Sequence, residues 1–502
     1  MSQPVVHIAN LNLKYQSKPV LQDLNWTINR YENWLLCGTS GSGKTSLAKA
    51  IAGVDHSYGN IKIEFNAQSN LPATVYYVAN WFQFKDLEGQ SNFYYQQRYN
   101  KQSTETTATV KAELESFGKK YELQFNEVDS ILAALGFSEL KHSTLIQLSS
   151  GEHKKLQLVK AIWLKPQVLI LDLPYNGLDT LSRQNLNALL EEISEAGTQL
   201  ILISNDDELP SCMNRFAVIK EGQLVEISAD ERTGNEFETS EQPVPAFLAE
   251  TIVTSSSAEI IKMIDVNISY GEKRVLKNIN WEVKAGEKWV LQGHNGSGKS
   301  TLLSLICGDH PQAYANNFHL FGNKRGSGES IWEIKERIGL ISPELHWYFD
   351  PSATVFQSIV SGFYDSSGLF CDPGYSKKVQ TDELISYFGL DEFKNTLMNE
   401  LPLGKQRLAL LARTIVKNPE LLILDEPCQG LDQQQTKHFN RLVDGLCKNG
   451  TTLIYVGHFE SQLPDCIEKR ILLENGAVKS VENILESVEI AESVENVENF
   501  EY

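Results

Sequence analysis

Long apolar runs are missing from this 502-residue chain; none approaches the ~18–20 consecutive apolar residues of a membrane span. The first residues also lack a charged-then-apolar leader pattern. The expectation is a cytoplasmic protein that reaches the inner face of the cytoplasmic membrane, if at all, as a peripheral partner. Cysteine is sparse. The seven (Cys37, Cys212, Cys307, Cys371, Cys428, Cys447 and Cys466) form no CxxC pair, and no histidine lies at metal-ligand spacing from them. That excludes a disulfide framework and a Cys/His zinc site, and leaves reduced structural thiols. Positive charge is short too. With 45 Lys and Arg against 64 Asp and Glu, the net charge of −19 disfavours a broad nucleic-acid surface, which needs clustered bases. What remains, 41% apolar and 22% charged residues, is ordinary for globular protein, and the length allows two or three domains.

The organising stretch is Gly293-His294-Asn295-Gly296-Ser297-Gly298-Lys299-Ser300, which fits GxxxxGK(S/T). Glycines let the backbone curl until successive N–H groups point at one anion, and the following helix adds its positive N-terminal end. The lysine then reaches the β/γ-phosphates of a nucleotide, and the hydroxyl after it ligates Mg²⁺. Lys288–Gln292 reads as the strand before the loop, and the residues from Thr301 to Ile306 as the helix after it. The motif occurs twice. Gly38-Thr39-Ser40-Gly41-Ser42-Gly43-Lys44-Thr45 precedes the other copy by 255 residues.

Tyr15 and Tyr270, Leu21 and Leu276, and Trp26 and Trp281 keep the same offset, so the chain is an internal duplication. From about 81 to 130 the first half departs from its twin. Trp81-Phe82-Gln83-Phe84 and the aromatic run from Phe93 to Tyr99 could stack bases, but read better as an α-helical subdomain packing its aromatics. Register returns at Leu148-Ser149-Ser150-Gly151-Glu152, where Ser149 and Glu152 have capping-box spacing and open a helix. Val168–Asp172 and Leu421–Asp425 read as buried parallel strands ending in carboxylates, with Glu426 following the second. The expected organisation is a first domain at 1–228, an acidic linker at 229–258, a second domain at 259–480 and an acidic tail at 481–502.

Two phosphate loops, two aspartate-ended strands and LSSGE between them resemble the ATP-binding-cassette (ABC) ATPases. The resemblance covers nearly the whole chain apart from linker and tail. It implies an α/β P-loop NTPase fold with two nucleotide-binding domains. Each would have a parallel-sheet core, an antiparallel β subdomain and an α-helical subdomain. Gly177-Leu178-Asp179 and Gly430-Leu431-Asp432 match the family's D-loops, and Tyr15 and Tyr270 its adenine-stacking aromatics. Within the family, Gly308-Asp309-His310-Pro311-Gln312-Ala313-Tyr314, the segment from Gly326 to Trp332 and Ser361–Ser366 resemble one tandem-cassette type associated with molybdenum uptake and photorepair. No residue reads as an oxyanion-transport site, so that likeness fixes no substrate.

In this family two cassettes pack head to tail, which implies two unequal ATP sites within one chain. The second would use Lys299, Ser300, Asp425, Glu426 and His458, closed by Ser149 and Gly151. Thr45, Asp172, Ser300 and Asp425 are the expected Mg²⁺ ligands, Glu426 the group that takes the water proton, and His458 the γ-phosphate contact. The first site would use Lys44, Thr45 and Asp172, but Leu173 stands at the glutamate position and Asn205 at the histidine position. Pro402 stands at the opposing signature serine, keeping the helix start and losing the hydroxyl and N–H. The first site is therefore expected to bind ATP and hydrolyse it poorly. The coupling glutamine is less defined, with Gln83 in the first half and Glu344 in the second. Three functions follow: an ATPase driving a membrane permease, an ATPase acting on a ribosome or nucleic acid, and a nucleotide-gated regulator with little turnover.

Overall fold

The computed structural model describes residues 5–15, 18–54, 58–80, 108–145, 148, 150–206, 208–232, 243–249, 259–270, 273–342, 352–366, 368–457 and 459–484. The chain divides into two compact units, Met1–Phe237 and Glu238–Tyr502. No helix among the described residues is long and apolar enough to cross a membrane.

The first unit carries strands β1 (Val5–Tyr15), β2 (Lys18–Ile28), β3 (Trp34–Cys37), β4 (Tyr58–Glu64), β5 (Val75–Val78), β6 (Val168–Asp172), β7 (Gln199–Ile203), β8 (Arg215–Lys220) and β9 (Gln223–Ile227). Six form the central sheet in the order β5-β6-β7-β3-β8-β9. Its ladders are parallel except at β8–β9. The remaining three make an antiparallel sheet, β2-β1-β4. The central strands read as continuous apolar runs because both faces are covered. Val168, Ile170, Ile201 and Ile203 face one buried cluster with the antiparallel sheet. Leu169, Leu171, Leu200 and Leu202 face the other, with the helices Val110–Tyr121, Val128–Ala134 and Ser150–Leu164. The period of two in the side chains makes that division.

The second unit repeats the plan with β10 (Glu259–Tyr270), β11 (Lys273–Lys284), β12 (Lys288–Gly293), β13 (Asn317–Leu320), β14 (Asn323–Lys324), β15 (Ile338–Ile341), β16 (Leu421–Asp425), β17 (Thr452–Val456), β18 (Lys469–Glu474) and β19 (Ala477–Asn483). The central order is β15-β16-β17-β12-β18-β19, and the antiparallel sheet is β11-β10-β13-β14. Val355–Val360, Gly374–Tyr387 and Leu403–Ile415 make its helical part. In both units the phosphate loop leaves a strand inside the sheet, β3 or β12, and enters a helix, Lys44–Ile51 or Lys299–Ile306.

The stretch read as linker holds two short pieces of structure, a 3₁₀ turn at Ala229–Arg232 and a helical turn at Ala246–Ala249. Leu248 is buried in the second unit's core, in the same cluster as Phe388 and Leu446, so part of this stretch belongs to that unit. At the other end β19 runs past Val481, which pairs with Ile471, before the described residues stop at 484. Trp81–Phe84 and Phe93–Tyr99 lie outside the described residues.

Candidate functional site

Each phosphate loop closes on a glycine in the left-handed region, Gly43 at φ 107° and Gly298 at φ 104°. A Cβ on Gly298 would stand 2.7 Å from Leu276 Cδ2, and one on Gly43 3.0 Å from the side chains of Val20 and Leu21. Conformation and space therefore both demand glycine. The loop lysines are buried and curl back onto their own loops. Lys44 Nζ donates to the carbonyls of Gly38 and Thr39, each at 2.7 Å. Lys299 Nζ donates to those of Gly293 at 2.6 Å and His294 at 3.1 Å. The ammonium is thus set in the ring of loop atoms that would surround a phosphate.

Thr45 Oγ1 donates to Asp172 Oδ2 at 2.9 Å, and the Tyr77 hydroxyl donates to the same oxygen at 3.0 Å. Oδ1 of Asp172 is buried with no hydrogen-bond partner among the described residues. Burial pushes this carboxyl above the usual carboxylate range, against the pull of Thr45, Lys154 and Tyr77. A buried oxygen beside a hydroxyl oxygen is a hard donor set, which fits Mg²⁺. In the second unit Asp425 ends β16 and is half-buried, and Ser300 follows Lys299 exposed. Tyr77 was not singled out in the sequence. It comes from the edge strand β5, and the ladder places Leu340 at the matching position of β15, so the repeat carries no signal for it.

The residue after each aspartate has the same unusual backbone. Leu173 lies at φ 46° and Glu426 at φ 45°. Each donates its N–H to the neighbouring strand, Leu173 to Ile203 O at 2.9 Å and Glu426 to Val456 O at 3.1 Å. A left-handed conformation costs a non-glycine residue about 1–2 kcal/mol. The first unit keeps that geometry with a side chain that cannot accept a proton. In the second, Gln429 Nε2 donates to Glu426 Oε2 at 3.2 Å. Asn205, at the first-unit histidine position, accepts the Gly38 N–H on Oδ1 at 2.9 Å. Ser149, His458, Gln83 and Glu344 lie outside the described residues, as does the side chain of Tyr15 at the end of β1.

The helices after the signature segments begin at Ser150, with Gly151 buried in the first turn, and at Leu403, with Pro402 at the N-cap. Each buries a cation at the matching position, Lys154 or Arg407. Lys154 Nζ donates to the carbonyls of Ala79 at 2.8 Å and Asp172 at 3.1 Å, tying this helix to the ends of β5 and β6. Burial brings its ammonium down to about 7, with Asp172 opposing. Arg407, 1% exposed, donates from Nη2 to Gln429 O at 3.3 Å, behind the residue that holds Glu426. Burial lowers its guanidinium to about 10, with Cys428 and Glu426 opposing. The 253-residue offset alone would have flagged this cation pair.

His153 precedes Lys154, and burial holds its imidazole down to about 4 from an ordinary 6.5. The unfolded chain therefore binds a proton that the folded chain refuses, and stability falls as pH drops from 6.5 towards 4. The loss from this group is expected to reach about 2 kcal/mol at pH 5. Urea unfolding at pH 7 and pH 5 checks it, with His153→Gln showing the smaller change.

Tyr270, 41% exposed, closes β10 with its hydroxyl 2.8 Å from His310 Nε2. A curled glycine loop, a buried lysine, a strand-end aspartate and a helix after the signature segment thus recur in both units. The profile of the ABC transporter family matches residues 21–176 and 276–429. The chain belongs to this family and is a tandem ABC protein, a class that binds ATP, normally with Mg²⁺. It is similar to the ABC transporter ATP-binding protein ModF of Escherichia coli (strain K12), at 33% identity over 89% of this chain and 92% of that protein. An uncharacterized ABC transporter ATP-binding protein of Schizosaccharomyces pombe is 28% identical over 94% of this chain and 98% of its own. Among solved structures, cbiO1 from Clostridium perfringens, part of the transporter complex cbiONQ, covers 49% of this chain at 24% identity and a TM-score of 0.41.

Proposed function

We propose that the chain hydrolyses ATP chiefly at the second phosphate loop and serves as the energy-coupling subunit of a transport system. One observation carries the asymmetry: Glu426 and Leu173 share a backbone geometry, and only Glu426 brings a carboxylate. Lys299 would hold the β/γ-phosphates, Glu426 would take the proton of the attacking water, and His458 would hold the γ-phosphate. Ser300 and Asp425 in the second half, and Thr45 and Asp172 in the first, would hold Mg²⁺. When bound, the metal offsets charge on the phosphate oxygens. Ser149 and Gly151 would contact the nucleotide of the second loop, as the family resemblance implies. The transport role is supported by the name of the ModF relative and would work through an integral permease; molybdate is one candidate cargo.

The test is steady-state hydrolysis by the full chain, with bound nucleotide counted after rapid quenching. Turnover with one ATP retained per chain is expected. Binding without turnover would overturn the enzyme reading in favour of a nucleotide-gated regulator. Recovery with an integral membrane protein supports the transport role, whereas co-purifying RNA would point to a ribosome or nucleic-acid ATPase.

A further inference from the structure

We infer that His310, Gln312 and Asn316 form a clasp that fixes Tyr270 as the nucleobase platform of the second site. His310 is then a positioning residue for the adenine of ATP. The inference rests on the reading of Tyr270 as the stacking aromatic of that site.

β10 pairs with β13 only from Ile261 to Ile264, so its last residues run beyond that neighbour. Two side-chain amides take the place of the missing ladder. Asn267 N–H donates to Asn316 Oδ1 at 2.8 Å, and Asn316 Nδ2 returns a bond to Asn267 O at 3.1 Å. Two residues on, Ser269 N–H donates to Gln312 Oε1 at 3.2 Å, and Gln312 Nε2 donates to Ser269 O at 2.7 Å. Residues two apart on a strand present their backbone groups to the same side, which is why one segment can serve both. In the first unit β4 itself reaches further along β1, pairing as far as Asn12 with Tyr58. In the second unit the clasp is built from the Gly308–Tyr314 motif and the asparagine just after it.

The end of β10 being fixed, His310 fixes the ring. Its Nδ1 accepts the Gln312 N–H at 3.2 Å, so the neutral imidazole carries its proton on Nε2. That nitrogen donates to the Tyr270 hydroxyl at 2.8 Å, with the two rings edge-on at 71°. Thr301, two residues after Lys299 in the phosphate-loop helix, lies close enough to the same hydroxyl to pull its pKa down against the upward push of burial. Held at its hydroxyl by His310, the half-exposed ring is pre-set at one distance from the loop. A base that stacks on it pays little ordering cost.

The test uses the full chain carrying Lys44→Ala, which silences the first loop, and titrates Mg-ATP and Mg-tripolyphosphate calorimetrically. His310→Ala is expected to weaken ATP about tenfold, while tripolyphosphate, which has no base, binds unchanged. His310→Gln restores ATP affinity, because its amide N–H reaches the same hydroxyl. In Tyr270→Phe, which lacks that hydroxyl, adding His310→Ala costs nothing further. Equal weakening of ATP and tripolyphosphate would mean a general collapse of the site and overturns the clasp, as does no change in either. If the parent binds neither ligand, the second loop is not a nucleotide site and the underlying reading fails first.

Discussion

Glu426→Gln is expected to lower the turnover number by on the order of 10²–10⁴ while leaving ATP bound. The amide keeps the size of the carboxylate and its place at the end of β16, but has no basic lone pair for the proton of water. The backbone should accept it, since the left-handed turn is set by the Glu426 N–H bond to Val456 O rather than by the side chain. The partner amide of Gln429 can rotate to meet either oxygen or nitrogen. Turnover and quenched nucleotide counts on the same preparation separate chemistry from binding. A variant that hydrolyses at the wild-type rate would show that the second loop is not where water is activated.

Exchanging the two loop lysines should divide the sites. Lys299→Ala is expected to abolish measurable turnover, a loss of at least about 10²-fold, because charge on the transferring phosphoryl loses its nearest cation. Lys44→Ala is expected to keep most of the wild-type rate and to lose one bound nucleotide per chain. The two cradles are alike, with each ammonium set among its own loop carbonyls. Their difference lies downstream, where Leu173 stands at the position of Glu426 and Asn205 is turned onto Gly38. The reverse result, with Lys44→Ala losing the chemistry, would move the active site to the first loop.

Much of this was legible in the chain because the constraints are local. A glycine at φ above 100° next to Lys44 or Lys299 must be glycine whatever surrounds it, and the strand before each loop is apolar because both its faces are covered. A fixed offset between repeats exposed the changes at residue 173, residue 205 and residue 402 without coordinates. The linker was harder. Its composition is polar, but Leu248 enters the second unit's core, with Val244 and Phe247 packed against it.

The sequence by itself determined two cassettes of one family, two GxxxxGK(S/T) loops, and a leucine at 173 where the repeat has Glu426, since these are matters of residue type at a fixed spacing. Tertiary structure alone decided which side chains serve those residues. Tyr77 reaches Asp172 from the edge strand, and Lys154 joins the signature helix to the ends of β5 and β6. Gln312 and Asn316 complete a ladder they do not belong to. Such partners meet because a sheet order and a helix packing bring distant positions together, and hydrogen bonds formed that way leave no period or spacing in the chain to read.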